Sequence, residues 1–341
     1  MASAYRVTPE IAFNGKNVTG LLNTYLKNFR YEDVAKDRCD SVDITVHNIN
    51  SEWLKDWYPH KGDEVICKLI FGGYYSDGSD CTVKCGAFVL DDISFSGDPM
   101  TMKIGALGVP RYHSFTQEPR DAKWNNMTIE KIAEKIARRY EMTIEYHAAS
   151  VSIETVEQTD QDDAAFLYSV CKTYGLDMKV FQDKLIIYDP ALLEQKEPVA
   201  TLTPKSFVDS EWSITDTLDG VYNGCYVRVG SGTSSKKYYY GTVDKSSASA
   251  RIVRQRVTAQ NAAEAKYKAL SAINASNEGA VKMSGDIWPT PAITAGTCVV
   301  VKDFGEPDGK YFVERVSFSI DPNDTKMSVT MHKIFARVRK V

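Results

Sequence analysis

Long apolar runs are missing from this 341-residue chain. The aliphatic stretches are as short as Val299-Val300-Val301, where a bilayer span needs about 20 residues. The opening MASAYRVTPEIAFNGK has no apolar core behind a basic start, so no secretory signal is expected. Cysteine is sparse: seven residues, an odd number without tight spacing, do not form a disulfide framework and point to a reducing compartment. Charge of one sign is also lacking. Lys+Arg of 41 against Asp+Glu of 45 leaves −4, too near balance for a global pull toward nucleic acid or an anionic membrane. The five histidines, His47, His60, His113, His147 and His332, form neither HExxH nor HxH and read as surface or packed residues. There is no P-loop and no GxSxG elbow. Gly230-Ser231-Gly232-Thr233 lacks the third glycine of a dinucleotide fingerprint and opens no helix. The expectation is therefore a non-enzyme, with no catalytic, cofactor-binding or metal-ligating residue to name and no cofactor.

What is present is an ordinary globular composition, 43% hydrophobic and 25% charged, long enough for two to three domains. Residues 1–110 read as β. Ser41 to Val46 alternates apolar and polar, Glu64 to Phe71 and Ala87 to Phe95 follow around a loop rich in Gly, Ser and Asp, and Met100 to Leu107 closes the set. The period then changes. Ile129, Ile132, Ala133, Ile136, Ala137 and Tyr140 make a helical stripe, with Asn126 or Thr128 as cap. A second helix starts near Thr159, buries Phe166, Leu167, Val170, Cys171 and Tyr174, and stops at Gly175. Met178 to Val180 and Leu185 to Ile187 suggest a hairpin, so residues 111–195 form a small α+β unit. Residues 196–341 return to β through Val221 to Val229, Tyr238 to Val243 and Arg251 to Val257, with an inserted helix at 258–275.

Self-similarity is the strongest signal. GAFVLDDISFSGDP (Gly86 to Pro99) aligns without a gap on GKYFVERVSFSIDP (Gly309 to Pro322), with six identities in fourteen positions. Upstream, GDEVICKLIF from Gly62 matches the pattern of GTCVVVKDF from Gly296, and an alternating strand follows each copy, Met100 to Leu107 and Met327 to Met331. Order, turn residues and flanking strands agree, so one β-domain is carried twice, with the α+β unit between.

The remaining clusters offer little chemistry. Cys81 and Cys85, with Cys67 in the neighbouring strand, lack a fourth zinc ligand. Asp160, Asp162 and Asp163 sit where a helix N-terminus favours carboxylates. Asp91 and Asp92 are adjacent on a strand, so they are expected to point to opposite faces. One patch stands out: Arg228, Lys236, Lys237, Lys245, Arg251, Arg254 and Arg256 against Asp244 alone, beside Tyr238, Tyr239 and Tyr240. That mix suits stacking on single-stranded nucleic acid, but a twisted hairpin with a charged outer face, or a contact with an acidic protein, is the simpler reading.

Several stretches together resemble the phage late control protein D family, the baseplate hubs of contractile tails and tail-like bacteriocins. They are Phe13 to Val46, SEWLKDWYPHKGDEV (Ser51 to Val65), KCGAFVLDDISFSGDP (Lys84 to Pro99) and WNNMTIEKIAEKIARRYEM (Trp124 to Met142). VEQTDQDDAAFLYSVCKTYGLDMKV (Val156 to Val180) and AGTCVVVKDFGEPDGKYFVERVSFSI (Ala295 to Ile320) complete them, in order over nearly the whole chain. The hairpin around Tyr238 and the basic end Arg337-Val338-Arg339-Lys340 fit the family least well. The resemblance implies a mainly β fold in which two similar antiparallel, tail-tube-like β-barrels flank the α+β unit. It also implies a homotrimer, in which two barrels per chain give a pseudo-sixfold ring between a hexameric tail tube and a trimeric spike. Wedge proteins and the tape measure protein are the other implied partners. DNA is only a passenger through the channel, where a net-negative wall would aid passage, and no membrane is involved. The implied location is the baseplate of a virion or tail-like particle assembled in the bacterial cytoplasm. A nucleic-acid-binding protein using the Arg228 to Arg256 patch, and a cell-wall hydrolase of the tail tip, are the competing readings.

Overall fold

The computed structural model describes residues 6–36, 39–49, 51–55, 57–97, 99–108, 114–181, 183–230 and 234–338. Strand exceeds helix by 48% to 19%, so the class is mainly β as expected. In chain order the first part holds β1 Val7–Phe13, β2 Lys16–Asn17, α1 Thr19–Tyr25, β3 Leu26–Val34, β4 Ser41–His47, β5 Glu64–Phe71, β6 Cys81–Ser96 and β7 Thr101–Leu107. The middle holds α2 Ser114–Gln117, β8 Arg120–Thr128, α3 Ile129–Arg139, β9 Thr143–His147, β10 Ser152–Gln161, α4 Asp163–Thr173, β11 Asp177–Phe181, β12 Lys184–Tyr188 and α5 Pro190–Glu194. The last part holds β13 Ala200–Leu202, β14 Phe207–Asp216, β15 Gly224–Val229, β16 Lys236–Gly241, β17 Ile252–Ala259 and α6 Ala262–Asn277. It ends with β18 Val281–Ile287, β19 Cys298–Val301, β20 Gly309–Ile320 and β21 Thr325–Lys333.

The repeat seen in the sequence is a repeat of topology. The first unit pairs its strands in the order β1-β5-β6-β7-β4-β3, and the second in the order β13-β19-β20-β21-β18-β14. β6 and β20 each carry one extra residue against the following strand, at Asp91 and at Glu314, the two positions that the alignment superposes. Gly62 and Gly296 likewise precede equivalent pairs, Glu64 with Val89 and Cys298 with Phe312. One pairing differs: β1 is antiparallel to β5, whereas β13 is parallel to β19.

The expectation of two separate barrels needs correction. The two units form one 13-stranded sheet because β3 pairs antiparallel with the outer half of β20, Phe29 to Val34 against Ile320 to Arg315. Among the described residues no pairing closes either unit, since one edge of each, β3 and the outer half of β20, is joined to the other unit. The cores are merged as well. Phe318 of the second unit, 4% exposed, stacks on Tyr31 at 6.5 Å and meets Phe71 edge-on at 6.1 Å.

The middle residues have their own core. Thr128 caps α3 through Lys131 N, at 3.2 Å, and α3 buries Ile129, Ile132, Ala133, Ile136 and Ala137 as the stripe foretold. Asp162 caps α4, and Gly175 with φ +76° ends it in the left-handed conformation that suits glycine. β11 and β12 form the expected hairpin, to which β9 adds in parallel. A β8–β10 ribbon completes the region. It escaped the sequence reading because most of its residues are exposed and show no apolar alternation.

The inserted helix is also only part of an insertion. Residues 217–280 leave the large sheet between β14 and β18 as a three-stranded sheet, β16-β15-β17, covered by α6. Gly224 and Gly241 face each other across β15 and β16, and a Cβ on either would meet the Tyr239 ring. The ring lies where the two missing side chains leave room, a cross-strand use of glycine.

Because Phe318 joins both cores, Phe318→Ala is expected to cost about 3–5 kcal/mol, read as a lower midpoint in urea unfolding. Loss confined to residues near β20, with the first unit unaffected in hydrogen exchange, would contradict a shared core.

Candidate assembly surfaces

Three groups of buried charge hold the parts together. Lys179 on β11 reaches out of the middle region and places its ammonium 2.8 Å from Asp33 on β3 and 2.9 Å from Asp40 before β4. The second oxygen of Asp33 accepts the backbone N–H of Ala295 at 2.9 Å, so this one cluster touches all three regions. Burial, helped by the neighbouring Asp33 and opposed by Lys179, raises the Asp40 carboxyl to about 6. Lys179 is itself held above its ordinary value: burial lowers it, but the two carboxylates outweigh that.

A second cluster ties the C-terminal segment down. Arg337 donates through Nε and a terminal nitrogen to both oxygens of Glu194 at 2.7 and 2.6 Å, and donates to Glu278 at 2.8 Å. Lys36 completes the chain by donating to Glu278 at 2.6 Å. Lys36, Glu278 and Arg337 line a groove of about 810 Å³ between α6 and the middle region, where they are engaged with one another. Beside them His332, 2% exposed, has Nδ1 2.8 Å from Glu314 and Nε2 3.7 Å from Glu194. Burial would lower its pKa, but the two carboxylates raise it above the ordinary value. Glu194 is also buried, yet His332 and Arg337 bring it down to about 2.

The third cluster corrects the reading of the aspartate trio. Asp162 is the cap, donated to by Ala165 N at 2.8 Å, but Asp163 is fully buried and does other work. It accepts from Arg139 at 2.9 Å, from the Tyr140 hydroxyl at 2.8 Å and from Gln158 Nε2 at 2.8 Å, which fastens α4 to α3 and to the β8–β10 ribbon. Asp160 lies in that ribbon with φ +47°.

The other singled-out residues are scattered. The cysteines are free thiols, and burial pushes Cys67 and Cys85 up, far from thiolate chemistry. Among the described residues no group of three His, Cys, Asp or Glu is placed to hold a metal, and no helix is long and apolar enough to cross a membrane. His47 is half-buried, and His60 and His147 are exposed. Asp91 and Asp92 are both exposed, because the extra residue at Asp91 breaks the alternation that would have sent them to opposite faces. The basic patch maps onto β15, β16, β17 and their connections. Lys237 lies 4.0 Å from the centre of the Tyr226 ring, and Tyr239 donates to Val243 O at 2.8 Å, so both are already satisfied within the hairpin. Tyr238 is the exposed tyrosine of the three. His113, Ser231 to Thr233, Arg339, Lys340 and the side chains of Arg254 and Arg256 lie outside the described residues.

Two of the open strand edges belong to β14 and to the outer half of β6. β14 pairs with β18 on one side, and its other side has no strand partner among the described residues. On β6, residues after Leu90 pair with β7 alone, because β5 stops opposite Val89. Open edges of this kind invite further strands.

No family model matches the chain. A curated relative, the probable baseplate hub protein of Escherichia phage P2, is 21% identical over 234 residues, which is 64% of this chain and 55% of that protein. The chain thus matches about half the length of that relative. The 43 kDa tail protein of prophage MuSo2 from Shewanella oneidensis superposes with a TM-score of 0.70 at 13% identity, over 96% of this chain and 98% of that one. The tail protein from Neisseria meningitidis MC58 gives 0.71 at 14% identity, over 96% and 97%. The resemblance to the late control protein D hubs is borne out by these likenesses.

Two outcomes are expected of the charge clusters. Lys179→Met strands two buried carboxylates and should cost about 3–5 kcal/mol at pH 7. Acidification toward pH 5 should return part of that, since protonation removes the unpaired charge. A variant equally stable at pH 5 and 7 relative to the native chain would show the cluster to be solvated. His332 has a folded pKa above its unfolded value of about 6.5, so its contribution is complete below that pH and is lost as pH rises through the folded value. Thermal melts should therefore fall less steeply above pH 6.5 in His332→Gln than in the native chain.

Proposed function

We propose that this chain is a structural hub of a phage tail or tail-like particle, which assembles as a homotrimer and joins a hexameric tail tube to a trimeric central spike. The observation that carries the reading is the repeat. Two units with one strand order, one bulge position and one continuous sheet lie in each chain, so three chains supply six such units. A ring of that kind offers sixfold likeness to a tube on one side and threefold likeness to a spike on the other, which is symmetry adaptation without a catalytic group. The likeness to tail proteins supports the same reading. Residues 1–110 and 196–341 then act as the ring-forming domains, each completing its barrel-like shape in the assembly, and residues 111–195 brace them from outside. Wedge and tape measure proteins are the further partners, DNA passes through the opening, and the location is the baseplate of the particle.

Native mass tests this. The purified chain of 38.1 kDa, alone or with a cognate spike protein, is expected at about 114 kDa per ring. A chain that stays monomeric and ignores the spike would overturn the reading.

A further inference from the structure

The junction between the two units is used once within the chain and stands open once at its ends. Following the registers from strand to strand makes this explicit. Ile93 of β6 and Val316 of β20 are repeat equivalents, and they face Ile104 and Val329. These face Ile44 and Gly285, which face Phe29 of β3 and Trp212 of β14. So β14 is the counterpart of β3, with Trp212, Ile214 and Asp216 standing for Phe29, Tyr31 and Asp33. The outer half of β6 is the counterpart of the outer half of β20, with Phe95 standing for Phe318. β3 and β20 are paired to each other. β14 and the outer half of β6, the repeat counterparts of β3 and of the outer half of β20, each have one side without a strand partner among the described residues.

We infer that β14 of one copy of this chain adds antiparallel to the outer half of β6 of the next copy, in the register of the β3–β20 junction. Ile214 then faces Phe95 of the neighbour, as Tyr31 faces Phe318, while Ser213 faces Ser96 and Trp212 faces Gly97. The side chains suit this. Ile214 and Phe95 are each half-buried against the core, and Phe95 already carries Tyr58, 45% exposed, stacked at 5.9 Å. Trp212, 41% exposed, would lie over the glycine, the cross-strand use of an aromatic that the Tyr239 ring makes in the insertion. The contact is heterologous, a different surface on each partner, so repetition yields a closed ring or a filament and never an isolated pair. Three copies place three such seams alternately with three β3–β20 junctions. The inference deepens the proposed trimer by giving it a seam and a register, and so rests on that reading.

The test is a cross-link in the full-length chain, alone and with the spike, with native mass measured in parallel. In Ile214→Cys/Phe95→Cys, oxidation is expected to give a covalent species near 114 kDa, three times 38.1 kDa. Either single substitution should give at most a collisional dimer, since most native cysteines are buried. A displaced pair, Ile214→Cys/Ile93→Cys, should cross-link at least about tenfold more slowly, because diagonal neighbours stand 7–8 Å apart. As a second readout, Phe95→Glu should weaken the oligomer at least about tenfold, and Ile214→Lys added to it should restore assembly. Native trimers that neither cross-link through the facing pair nor respond to the charge pair would overturn the seam and leave the trimer standing. Monomers under every condition would overturn both.

Discussion

A lysine that reaches from one region into the edge of another sets the geometry on which the rest depends. Lys179 sits between Asp33 and Asp40, and Asp33 also receives Ala295 N. Three segments far apart in sequence meet at one carboxylate, that of Asp33. Buried ion groups of this sort seldom add much net stability, because desolvation offsets attraction. Their effect is on uniqueness: a middle region set differently against β3 would leave a buried charge without its partner. The cluster stands beside the backbone junction, at the end of β3 that Tyr31 and Phe318 do not cover, so apolar stacking and charge fix the two ends of the same strand.

The duplicate of this arrangement is incomplete in an informative way. Asp216 of β14 holds the position that Asp33 holds on β3, but Asp216 is exposed where Asp33 is buried. The middle region that supplies Lys179 occurs once per chain. Of the two like sheets, one thus has an internal brace at this edge and the other does not. The open edges also lack the lysines that usually discourage strand addition, carrying Asp91, Asp92 and Asp216 instead.

Much of the fold was legible because it is written locally. The repeat could be read from spacing alone, since bulge, glycine and turn positions recur in step, and α3 and α4 announced themselves by apolar stripe and cap. The unread parts share a different cause. β14 has a broken register around Asp209 and Ser210, both at positive φ, and exposes most of its residues, so no period of two survives in it. The β8–β10 ribbon is polar for the same reason. Lys179, Asp163 and Arg337 look like surface charges in sequence, and only tertiary contact reveals Asp163 as buried and the other two as half-buried partners of buried carboxylates. The joining of two expected barrels into one open sheet likewise depends on which edges meet, a property that no single strand carries.

The insertion of residues 217–280 has a bearing on orientation. It enters between β14 and β18, where the first unit has only the short turn from β3 to β4. The two otherwise similar units thus differ most at this one corner, by a hairpin sheet and a helix that bond to the middle region through Tyr174 with Glu264 and Ser271 with Lys172 O. In an assembly of three chains, such a corner would stand proud at every second unit, like alternate teeth left long on a gear. A partner arriving at that rim would meet a surface with only three equivalent settings, whereas the opposite rim would still admit six.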